Sequence, residues 1–195
     1  MKPAMKPMMN IWLRVRRSAK DLFGDISGIA ATEFAIVVPV MLLLFFGTDE
    51  FASGIAVNRK VTLMARTLSD LTSQNIAVTD TQLTNFFNAS SSIMTPYSAT
   101  PVRSTITELY VDPATKAARV QWSKGSAPRT AGTTVPIPTA LQVGDTYLIY
   151  SEVNYAFVPT VGYVLKNSIT LSDFTFTRPR QSTCVMYSTT VCTKT

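Results

Sequence analysis

Ile29 to Gly47 reads IAATEFAIVVPVMLLLFFG, and this stretch decides the fold. Its nineteen residues carry a single charge, Glu33. As a helix rising about 1.5 Å per residue they cover roughly 28 Å, close to the roughly 30 Å of a bilayer's hydrocarbon core. The stretch is just long enough to span. Upstream of Gly28 lie Lys2, Lys6, Arg14, Arg16, Arg17 and Lys20, against only Asp21 and Asp25; downstream come Asp49 and Glu50. Cytoplasmic flanks of membrane helices collect Lys and Arg, so the charges place the N-terminus in the cytoplasm and the remainder outside.

The whole chain has 195 residues and a formal net charge of +6. Much of that excess sits in the basic leader, because from Ile29 onward twelve cations face ten carboxylates. Attraction of the leader to anionic lipid explains its charge more simply than nucleic acid does, although Trp12 lies among its cations. Two other readings of the apolar run are weaker. A buried core helix leaves the basic leader without a role, and TDEFASG offers a poor cleavage site for a conventional secretory signal.

Glu33 needs a reason, since a carboxylate at the edge of a membrane helix costs on the order of a few kcal/mol and is usually functional. Gly28 precedes it by five positions, at the seam between leader and apolar run. The segment GIAATEF resembles a prepilin-type (class III) processing site. Cleavage after Gly28 would make Ile29 the first residue and Glu33 the fifth. The new α-amino group would be mostly protonated at neutral pH, and the Glu33 carboxylate of a neighbouring copy could neutralise it. The longer run GIAATEFAIVVPVMLLLFFGTDEF resembles the TadE-like family of tight-adherence (Flp-type) pilus assembly. Gly28, Glu33, Phe34, Ala35, Pro39, Phe46, Gly47, Glu50 and Phe51 carry the likeness, with Ala65 and Arg66 downstream.

That resemblance implies a non-enzymatic minor pilin or pseudopilin. Gly28 and Ile29 would form the processing site, and Glu33 with Phe34 would set subunit register. The implied partners are the inner membrane, other pilins and pseudopilins, platform proteins of the machine and a prepilin peptidase, with no nucleic acid and no small-molecule substrate. The implied location is the bacterial inner membrane, with a single pass and a periplasmic C-terminal domain. An uncleaved, membrane-anchored periplasmic adaptor of the same machinery is the main rival, and a membrane-tethered ligand-binding domain a third reading.

The expected fold class is α+β, pilin-like: a long N-terminal transmembrane helix, an amphipathic continuation, a short helix and a small antiparallel sheet. The expected divisions are a basic leader at 1–28, a transmembrane helix at 29–48, an amphipathic extension at 49–78, an α+β domain at 79–183 and a tail at 184–195. Phe51, Ile55, Val61, Ala65, Leu68 and Leu71 recur at near-helical spacing and are expected to form the inward face of the extension. Pro39 lacks a backbone donor and is expected to kink the membrane helix.

Thr79 or Asp80 can cap a second helix reaching about Ile93, with Leu83, Phe86 and Phe87 inward and Pro96 and Pro101 beyond its end. TITELYV and ARVQWS around Asp112-Pro113 read as a hairpin. Strands are also expected at Thr146 to Val158 and Ser168 to Thr177, giving four in all, with a loop from Lys124 to Gly144. Cys184 and Cys192 suit one small loop-closing disulfide in an oxidising compartment, with two free thiols as the alternative.

The chain contains no histidine. That removes Ser-His-Asp and Cys-His centres and the commonest metal ligand. No P-loop or dinucleotide-binding glycine pattern is present, so no cofactor is implied. Two sulfurs without histidine fall short of the usual four zinc ligands, so no metal is expected either. Glu108 with Asp112, and Asp49 with Glu50, are the carboxylate pairs that general acid-base chemistry could use. Surface charge is the expected explanation of both.

Overall fold

The computed structural model describes residues 27–159 and 167–194. The leader cations Lys2 to Lys20 and Trp12 lie outside the described residues. The chain divides after Gly47 into two compact units.

Helix α1 runs uninterrupted over 47 residues, Ser27–Ser73, with Pro39 inside it. In the first unit it is apolar apart from Ser27, Thr32 and Glu33 and almost entirely exposed: Phe34, Ile36, Val40 and Met41 each expose more than half of their surface. A helix with no polar face has no water-facing side, so such surface suits lipid or other apolar helices. The helix is long and apolar enough to cross a membrane once.

In the second unit the same helix becomes one-sided. Val57, Val61, Met64, Ala65 and Leu68 are at most 1% exposed, at the i, i+4, i+7, i+8, i+11 spacing of one helical face. The inward face keeps Val61, Ala65 and Leu68 of the expected set, with Leu71 half-buried, but not Phe51 or Ile55. Phe51 and Ile55 are 68% and 43% exposed. At about 100° per residue Phe51 and Ile55 lie roughly 100° and 135° around the helix from the middle of that buried face. Leu63 also lies off it and is 52% exposed.

After a two-residue strand β1 (Ala77–Val78), helix α2 spans Asp80–Ser91 and runs into a 3-10 turn at Ser92–Met94. Thr79 caps α2 in a reciprocal box: its hydroxyl accepts the Gln82 N–H while the Gln82 side chain accepts the Thr79 N–H. Leu83 is buried, with Phe86 and Phe87 half-buried against the same core.

The main sheet has five strands rather than four, in the order β4-β3-β2-β5-β6, all antiparallel. They are β2 (Val102–Val111), β3 (Ala118–Gly125), β4 (Thr134–Val135), β5 (Thr146–Phe157) and β6 (Ile169–Thr177). The β2–β3 hairpin turns where expected, with the Asp112 carboxylate accepting the Ala114 and Thr115 N–H groups. The extra strand β4 comes from within the expected Lys124 to Gly144 loop. Val135 is apolar and 7% exposed, and it draws the loop onto the sheet edge opposite Ala118.

Alternation then separates the two faces of the sheet. Ile106, Trp122, Ile149 and Val153 pack with α1 and α2, while Leu109, Val120, Leu148 and Tyr150 pack beneath the loop. The C-terminal residues complete the first face. Met186–Tyr187 (β7) pairs in parallel with β1, and Val185 is fully buried.

Candidate functional site

Three groups of residues come into question. The first lies on α1 of the N-terminal unit. Gly28 stands in open space, where an added Cβ would meet nothing within 4 Å. Ile29, Glu33, Ile36 and Val40 follow one another at i, i+4, i+7 and i+11, so they form one stripe of the helix, and all four are exposed. Glu33 is therefore a carboxylate set in an exposed apolar stripe one turn from Ile29. Phe34, 70% exposed, lies on the adjacent stripe.

The second is the wall beneath the loop. A cleft of about 420 Å³ is bordered by Ala127 to Thr130, Thr133 to Pro136 and Tyr150. Its strongest polar groups are occupied with one another. Arg129 donates to both Glu152 oxygens at 2.6 and 2.7 Å, and the Tyr150 hydroxyl donates to Glu152 at 2.9 Å. Burial and the Glu152 contact push the Tyr150 phenol up to about 12, so it stays a donor. Arg129 Nε is buried without an acceptor.

The third was not anticipated. Glu108 is 1% exposed, not a surface charge. It points to the α1 face of the sheet with its cross-strand neighbours Trp122 and Ile149, beside a register shift between β2 and β3. Glu108 Oε1 accepts the Val185 N–H at 2.5 Å, and Trp122 Nε1 donates to the Val185 carbonyl at 2.8 Å. Burial pushes Glu108 up to about 7, and the Val185 and Trp122 contacts oppose that rise. Glu50, from the other expected surface pair, is also buried at 3% exposure. Asp112, by contrast, is taken up by its turn. The available signal was that Glu108 interrupts the strand TITELYV on the same side as Ile106, and only knowledge that both faces are covered identifies it as buried.

Cys184 and Cys192 are joined by a disulfide with Cα atoms 6.4 Å apart. It closes a segment held to the domain along its length. Met186 N–H reaches the Ile76 carbonyl, Ser188 N–H the Val78 carbonyl, and the Tyr187 hydroxyl the Asp80 carboxylate at 2.6 Å. Lys124 stands 4.5 Å above the Tyr187 ring.

A long, exposed and largely apolar N-terminal helix followed by a short helix and an antiparallel sheet defines the class: an α+β, pilin-like fold whose long helix is consistent with a membrane-spanning segment. The model of the family described as TadE-like protein matches residues 28–68. The match covers α1 from Gly28 to Leu68, about a fifth of the chain, and bears out the resemblance read from GIAATEF and the residues after it. Among curated proteins and among solved structures, nothing matches the chain.

Proposed function

We propose that the protein is a minor pilin or pseudopilin of a tight-adherence pilus assembly system, held in the inner membrane with its sheet domain in the periplasm. The observation that carries this reading is the Ile29–Glu33–Ile36–Val40 stripe, a lone carboxylate on otherwise apolar and exposed helix surface. In a bilayer an isolated carboxylate is costly and seeks a cation. Processing after Gly28 would create one, the α-amino group of Ile29, on each copy. Pairing that amine with Glu33 of the next copy fixes the axial stagger between helices, and Phe34 and its apolar neighbours supply the packing. The TadE-like match over the same residues supports this reading.

Expressing the chain with a prepilin peptidase and sequencing the N-terminus in membrane and sheared-pilus fractions tests it. A new terminus at Ile29 in the pilus fraction is expected, together with loss of assembly in Gly28→Trp and Glu33→Gln. Met1 retained in assembled material, with function unchanged in the Gly28 variant, identifies the uncleaved adaptor instead.

A further inference from the structure

The Sγ atoms of Cys184 and Cys192 and one carboxylate oxygen of Glu108 all lie within 4.8 Å of one another. Such a grouping needs explanation, because the carboxyl is buried and only half satisfied. Oε1 takes the Val185 N–H, whereas Oε2 has no hydrogen-bond partner. A buried carboxylate oxygen without a donor is unfavourable, and a protonated one still lacks an acceptor among oxygen and nitrogen atoms. One oxygen of this carboxyl lies beside both sulfurs. Both cysteines are only half-buried, so a small thiol can approach the disulfide from solvent.

The surroundings leave Glu108 free to exchange a proton with this pair. From β3 it faces Trp122, from β5 Ile149 and the phenol of Tyr147, and from the C-terminal segment the disulfide and Val185. Helix α1 brings Leu68, Ser69 and Thr72 to this side, buried and uncharged. Among the described residues no charged side chain contributes to its proton affinity, which burial dominates. Asp145 and Lys194, which act on the neighbouring Tyr147, pair with each other at 2.8 Å.

We propose that Cys184–Cys192 is a redox-active disulfide opened by a dithiol, with Glu108 as the acid that protonates the departing sulfur. The dithiol attacks as a thiolate, having released its proton to water. It bonds to one cysteine Sγ, the S–S bond breaks, and the other Sγ leaves with the electron pair and takes the Glu108 proton. The reductant's second thiol loses its proton, attacks its own mixed-disulfide sulfur and departs as a cyclic disulfide. The released cysteine thiolate takes a proton from water, and Glu108 regains its own from water. Overall, protein disulfide and dithiol become two protein thiols and an oxidised dithiol, with no net proton. Opening the loop removes the covalent closure next to Val185, which covers Glu108. The step does not depend on assembly through α1.

The test follows reduction of the full-length protein in detergent micelles by dithiothreitol from pH 5.5 to 8.5, with thiol alkylation and mass analysis. Rates are expressed per thiolate and compared with reduction of oxidised glutathione. The wild-type rate constant is expected to fall about 10-fold as pH rises through about 7. Glu108→Gln is expected to remove that inflection. A wild-type profile parallel to that of glutathione overturns the proposal even if the variant fails to fold. So does an inflection that survives in a folded Glu108→Gln protein, or a disulfide that dithiothreitol opens only after denaturation.

Discussion

Ser151, in the middle of β5, donates its hydroxyl to the Ala65 carbonyl of α1 at 2.6 Å, and one turn later Ser69 of α1 donates back to the Ile149 carbonyl at 3.4 Å. Helix and strand thus exchange hydroxyl bonds across a largely apolar core. Small residues at both ends let the backbones approach closely enough for each hydroxyl to reach a carbonyl.

Ser151→Ala should remove one such bond without orphaning a donor, since the Ala65 carbonyl keeps its place in the helix. A loss of about 1 kcal/mol is expected. For a domain near 150 residues this corresponds to roughly 2–4 °C in the unfolding midpoint, read by circular dichroism. Ser151→Val should cost more, because added methyl groups must fit between fully buried neighbours.

Glu108 makes stability depend on pH in a direction opposite to that of a salt-bridged acid. Its affinity for the proton is raised by folding from an ordinary 4.5 to about 7. Between these values the folded chain holds a proton that the unfolded chain has released, so stability falls as pH rises. Below 4.5 both states are protonated, and above about 7 both are ionised and the penalty is constant. The full difference is roughly 3 kcal/mol. Denaturant midpoints should therefore decline from pH 4.5 to 7.5 in the wild type, and Glu108→Gln should flatten that decline and be the more stable protein at pH 8.

Much of this was legible in the sequence, for identifiable reasons. The apolar run and its flanking charges announce themselves by composition, the start of α2 needs only a capping residue at Thr79 or Asp80, and the hairpin needs only Asp112-Pro113 between two alternating runs. The inward face of α1 was legible only in part, through Val61, Ala65 and Leu68. A helix that leaves a wholly apolar segment carries Phe51, Ile55 and Leu63 on its outer side, so hydrophobic periodicity fits two faces at once. Val57 and Met64 declare the true face only through what they touch. Glu108 was hidden for a related reason: alternation shows which side of the strand it lies on, but not that the distant residue Val185 closes over it.

Gly125 and Gly132 both adopt positive φ, 136° and 82°, yet replacing them should have different effects. A Cβ at Gly125 would fall 2.6 Å from Thr105 Cα and 3.0 Å from the Ser104 carbonyl carbon, whereas one at Gly132 would meet nothing within 4 Å. Gly132→Ala should cost about 1 kcal/mol, the conformational penalty alone. Gly125→Ala adds a backbone clash where β3 leaves β2 and should cost at least about 2 kcal/mol more. Parallel thermal melts of the two variants separate the contributions.

Removing residues 184–195 should do more than subtract a tail. Val185 is fully buried and supplies both the N–H that Glu108 accepts and the carbonyl that Trp122 Nε1 reaches. Without it, water enters beside Trp122 and solvates the carboxyl, which removes the burial that raises its proton affinity. The truncated chain is expected to lose the Val185 burial, roughly 1.5–3 kcal/mol. It also loses the loop closure, about 2 to 3 kcal/mol in the chain-entropy picture. The pH dependence should move with it. The decline centred between 4.5 and 7 in the wild type should shrink toward nothing as the folded and unfolded proton affinities converge. A C184S/C192S double variant separates the two effects, because it opens the loop while leaving Val185 free to stay in place. Retention of the wild-type pH profile in that variant, with its loss on truncation, would show that Val185 rather than the disulfide keeps water from Glu108; loss in both would show that the covalent closure is needed to hold Val185 down.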